Sequence, residues 1–75
     1  MSNFDDLIRT MQSICSHNSW EITKEQAFRS FYKEKGRVKE ARLSREVLKR
    51  LHQDQVQNKN VLRSLRRWAM EDRNG

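Results

Sequence analysis

Residues 35–51 read KGRVKEARLSREVLKRL. Lys35, Arg37, Lys39, Arg42, Arg45, Lys49 and Arg50 stand there against only Glu40 and Glu46, with Val38, Ala41, Leu43, Val47, Leu48 and Leu51 as a sparse apolar frame. How this frame winds decides the number of helices. A single helix through Leu51 would spread the apolar positions over more than half its circumference, whereas a break near Leu43 and Ser44 narrows each stripe. The break is the preferred reading. Ser44 then caps a new helix that turns Val47, Leu48 and Leu51 inward and leaves Arg45, Glu46, Lys49 and Arg50 on the open side. The segment reads as helix, tight turn, helix.

Upstream, Phe4, Leu7, Ile8, Met11, Ile14 and Cys15 recur at helical spacing, with Asp5 and Asp6 in the first turn, where the helix dipole favours acids. A first helix is expected over residues 4–15, capped by Asn3 and leaving through the polar run Ser16–Ser19. Its apolar stripe is a core face, with a dimer contact as the alternative. Thr23 and Gln26 have the spacing of a capping box, so a second helix is expected from there to Gly36, where glycine can take the left-handed conformation. Ala27, Phe28, Phe31 and Tyr32 would be its buried face, and Trp20 and Ile22 would pack back onto it to complete an aromatic core. Downstream, residues 52–60 fit loop or helix. Val61, Leu62, Leu65, Trp68 and Ala69 predict a last helix over 61–72, capped by Asn60, with Arg63, Arg66 and Arg67 outward and a frayed tail at residues 72–75.

The chain of 75 residues has no Pro and only two Gly, and β-branched residues are few. These features predict an all-α fold: one small domain over residues 1–75, a bundle of four helices (three to five, as residues 37–60 are divided). At this length a core rarely supplies more than about 3–5 kcal/mol, so self-association or a partner matters. The net charge of +6 is uneven: residues 1–34 hold four basic and five acidic side chains, residues 35–75 twelve and five. A basic half on a near-neutral half reads as a docking surface. No apolar run approaches membrane-spanning length, the amino terminus is acidic where a secretory signal is basic, and Cys15 is the only cysteine. A cytoplasmic protein away from membranes is expected.

Residues 36–51 resemble the helix-turn-helix of the Fis type of bacterial DNA-binding protein. Gly36, Val38 and Ala41 match its Gly-x-Val-x-x-Ala helix, and Leu43, Ser44, Arg45, Leu48 and Leu51 match much of its recognition helix. The segment joining the two is several residues shorter than in that family, and the usual turn glycine is missing. The resemblance implies that the Ser44 helix enters the major groove, with Arg45 and Lys49 toward base edges. Ser44, Arg42, Lys39, Arg37 and Arg50 would then position the domain on phosphate, and Arg63, Arg66 and Arg67 would extend the track. A homodimer would pair two half-sites.

The leading expectation is therefore a small nucleic-acid-binding protein, duplex DNA favoured over RNA, acting as a DNA-binding transcriptional regulator or accessory factor of bacterial or mobile-element origin. The alternative is an adaptor or inhibitor that docks its basic helices on an acidic or nucleic-acid-handling protein partner. Exposed tryptophans would favour the adaptor and buried ones the DNA binder. An enzyme is not expected. Cys15 and His17 lack further ligands at metal spacing, the adjacent acid pairs Asp5–Asp6 and Glu71–Asp72 do not converge, and no glycine-rich phosphate loop is present. No metal or cofactor is expected either.

Overall fold

The structure, a computed structural model, describes residues 3–74, with side chains from 4 to 73. It consists of two long helices, α1 (Asn3–Glu34) and α2 (Val38–Asn74), folded back on each other as an antiparallel hairpin. The expected bundle of three to five helices is overturned, though the all-α class holds. The hairpin's Cα atoms span 58 × 16 × 11 Å, so it is a flat rod two helices wide and one helix thick.

Only Lys35, Gly36 and Arg37 interrupt the helices. Gly36 has φ +70°. Its amide donates to the Lys33 carbonyl at 3.2 Å and the Arg37 amide donates to the Tyr32 carbonyl at 2.8 Å, the paired bonds of a Schellman ending. A methyl group at Gly36 would meet nothing within 4 Å, so only backbone strain opposes it. Gly36→Ala is expected to destabilise the hairpin by about 1 kcal/mol, read as a lower denaturant midpoint at unchanged slope.

The helices meet along positions spaced alternately four and three apart. On α1 these are Phe4, Ile8, Met11, Cys15, Ile22 and Tyr32, interrupted by the polar Asn18, Glu25 and Arg29. On α2, Ala41, Leu48, Leu51, Leu62, Leu65 and Ala69 are interspersed with Ser44, Gln55 and Asn58. All are buried or half-buried. This repeat averages about 3.5 residues, the period of a coiled-coil seam. Cross-helix bonds at three places fix the register from turn to free ends. The Ser44 hydroxyl lies 2.6 Å from Glu25 Oε1 and 3.3 Å from the Glu25 carbonyl, Gln55 Nε2 donates to Ser19 Oγ at 2.9 Å, and Arg73 bonds Asp5 Oδ1 at 3.1 Å.

Each expected interior boundary other than Gly36 fails for one reason: the polar residue has a place inside a continuous helix. Ser44 is 2 % exposed and ties α2 to α1, so there is no break at Leu43–Ser44 and Ser44 caps nothing. Residues 36–51 instead comprise the hairpin turn and the first turns of α2. Thr23 opens no helix; its hydroxyl donates back to the Ser19 carbonyl at 3.2 Å, one turn earlier, as Thr10 does to Asp6 at 3.0 Å. Ser16–Ser19 pass through α1, and residues 52–60, Asn60 included, are helical. Asn3 starts α1, though its side chain lies outside the described residues, as does Gly75. Helix continues through Asp72 and Arg73 to Asn74, in place of the expected fraying.

The aromatic core is also corrected. Ile22 is buried, but Trp20 is 59 % exposed, and Ala27, Phe28 and Phe31 face outward; only Tyr32 of that group is half-buried. Phe28 and Phe31 instead pack beside Tyr32 on α1, with ring centroids 6.5 and 5.9 Å from its ring.

Candidate nucleic-acid interface

The seam divides the remaining side chains between two flat sides of the hairpin, because residues flanking a heptad seam form one row on each side. One side pairs Asp5, Gln12, Ser19, Gln26 and Lys33 of α1 with Arg45, His52, Lys59, Arg66 and Arg73 of α2. The Asp5–Arg73 ion pair joins the ends of these two rows. Just outside them lie Arg9 on α1 and Arg42, Lys49 and Arg63 on α2. Every one of these cations is exposed. Among the described residues Asp5 is the sole acid on this side, and Arg73 already engages it.

Two shallow grooves confirm which side chains converge. One, of about 300 Å³, is bounded by Gln26, Arg29, Ser30, Lys33, Leu48 and His52; the other, of about 360 Å³, by Cys15, Lys59, Leu62, Arg63 and Arg66. Lysine and arginine thus line the cleft between the helices toward both ends. A heptad rises about 10 Å, so Arg45, Lys59, Arg66 and Arg73 form a charged track along the rod rather than a compact patch.

Of the residues expected at the site, Arg42, Arg45, Lys49, Arg63 and Arg66 share this side. Lys39 and Arg67 point to the back of α2, and Arg50 lies toward the opposite flat side. Arg37 belongs to the turn, and Ser44 is buried in the seam. The sequence reading missed Arg9, Lys33, Lys59 and Arg73, which complete the track. For Lys59 and Arg73 the signal was the seven-residue spacing Arg45, His52, Lys59, Arg66, Arg73, interrupted only by histidine; Arg9 and Lys33, on α1, had no such signal.

Elsewhere, Trp20 carries Lys24 Nζ at 4.8 Å from its ring centroid and stacks against His17 at 6.3 Å. Lys24 also bonds Glu21. Cys15 sits half-buried in the seam. Among the described residues no three His, Cys, Asp or Glu side chains gather as metal ligands do, and no helix is long and apolar enough to cross a membrane. No family model, curated protein or solved structure matches the chain.

Proposed function

We propose that the chain binds nucleic acid, duplex DNA before RNA, by laying its basic side along the phosphate backbone. The observation that carries this reading is the sorting of charge: Arg9, Lys33, Arg42, Arg45, Lys49, Lys59, Arg63, Arg66 and Arg73 face one way, with one acid among them. Solvation alone gives no reason for such sorting, since a soluble helix pair is served as well by mixed signs. A duplex offers one charge per about 1.7 Å of axis, and neutralising phosphates releases counterions.

The hairpin's shape selects the docking mode. A single helix fits a major groove about 12 Å wide, but two paired helices do not. With α2 paired along its length, the contacts are to phosphate, which positions without reading sequence. The protein then acts as an accessory factor with weak sequence preference rather than as a reader of one operator.

Fluorescence anisotropy with labelled random duplex DNA, titrated at several salt concentrations, tests this. With about five phosphates neutralised, the logarithm of affinity falls against the logarithm of salt at a slope of roughly −4.5. Absence of binding at low salt, or a slope near zero, sinks the reading and leaves the adaptor. The tryptophans, Trp20 at 59 % and Trp68 at 46 % exposed, are as expected of the adaptor rather than of the DNA binder. Neither lies on the basic side, so a protein contact there and a nucleic-acid contact on the other side do not compete for surface.

A further inference from the structure

The flat side opposite the cations is apolar. The register sets Phe28 of α1 across from Val47 of α2, Ile14 across from Val61, and Leu7 across from Trp68, each 42–50 % exposed. Between the first two of these layers lies a polar one, Glu21 across from Asp54. Lys24 Nζ bonds Glu21 Oε2 at 3.1 Å, and Arg50 stands one helical turn before Asp54. Two apolar patches therefore flank a charged middle whose signs balance.

We propose that this side is covered by a second copy of the same chain, so that two hairpins form a four-helix bundle. The first argument is the seam. Its buried apolar side chains are Ile22, Leu48, Leu65 and Ala69, none large and fully buried, while Asn18, Glu25, Arg29, Ser44, Gln55 and Asn58 occupy positions a coiled coil fills with leucine or isoleucine. Asn18 Oδ1 and Arg29 Nε are buried without a hydrogen-bond partner. So thin a core does not hold two long helices together unaided, and the apolar surface that would complete it is on the open side.

The second argument is charge. Each chain carries +6, so two copies repel unless the cations point apart. Apposing the apolar sides achieves this. That side holds Glu21, Glu40, Asp54 and Glu71 against Lys24, Lys35 and Arg50, and in a two-fold arrangement the acids of the middle layer fall among the Lys24 and Arg50 cations of the other copy. The third is size: a face of 58 by 16 Å matches the roughly 800 Å² per partner of a standard interface. A two-fold axis makes the one patch serve both subunits and leaves two basic tracks facing outward. This assembly stands or falls independently of nucleic-acid binding.

Light scattering and circular dichroism of the intact chain over a dilution series decide it. The expected mass is twice 9.1 kDa, and helicity falls as dilution separates the copies, because association stabilises by mass action. Phe28→Gln with Val61→Gln is expected to abolish the dimer. Val56→Gln with Met70→Gln, which changes more exposed apolar residues on the basic side, is expected to leave it intact. A single-chain mass with undiminished helicity at every concentration overturns the proposal, as does a dimer that survives the Phe28 and Val61 changes. Should that variant lose its helices, the wild-type dilution series alone decides between one copy and two.

Discussion

Arg45→Glu combined with Arg66→Glu is expected to weaken binding to random duplex DNA by about a hundredfold or more at roughly 0.1 M salt. Each lost phosphate contact removes about 0.9 from the salt slope, which at that concentration is close to a decade in affinity, and reversing the charge adds repulsion. Both residues lie in the row beside the seam, three heptads apart, on the side with Lys59 between them. The control is Lys39→Glu with Arg67→Glu. It makes the same change in net charge on the back of α2, where the side chains point away from the proposed contact. Exposed charges separated by more than about 10 Å are largely screened near this ionic strength, so the control is expected to cost only a fewfold. The measurement is a pair of anisotropy titrations, with circular dichroism confirming that both variants keep their helices. Equal losses would mean that total charge, not an oriented face, governs the binding.

That face is only half legible in the sequence, and the same residues explain both halves. The charge excess of residues 35–75 marks the right helix, and Arg42, Arg45, Lys49, Arg63 and Arg66 belong where the hairpin gathers them. Lys39, Arg50 and Arg67 join them in the sequence reading because a linear cluster does not show direction. Direction comes from the seam, and the seam is hidden by its polar members. Asn18, Ser44, Gln55 and Asn58 look like helix ends or loop in isolation, because short polar side chains bond readily to nearby backbone. Inside a helix pair they are tolerated among apolar layers, where they set register at a cost in stability. Capping preference is conditional in this way: Ser44 caps a helix only if the backbone before it is not already helical. Gly36 is different. Its left-handed backbone is a conformation that other residues rarely adopt, so the one chain reversal is legible to the residue. The repeat of four and three from Phe4 to Tyr32 is also present to be read, but only by accepting Asn18, Glu25 and Arg29 as inward-facing.

The register itself is exposed to a sharp test at Leu48. Its side chain is 7 % exposed in the seam, whereas Val56, eight residues on, is 61 % exposed on the basic side. Truncating a buried leucine to alanine costs about 2–5 kcal/mol from lost transfer energy and the cavity left behind. A core of this size rarely supplies more than about 3–5 kcal/mol, so Leu48→Ala is expected to remove most of the folded population at 25 °C and to shift the thermal midpoint far down. Val56→Ala is expected to leave the midpoint unchanged or raise it slightly, because alanine favours helix over valine by a few tenths of a kcal/mol and little apolar burial is lost. Helicity followed by circular dichroism on heating compares the two directly. The contrast is informative because both residues are apolar landmarks in the sequence: one falls in the expected recognition helix, the other in a stretch readable as loop. Comparable losses at the two positions would mean that α1 and α2 do not meet along the Leu48 row, and the division into a basic and an apolar side would fall with it.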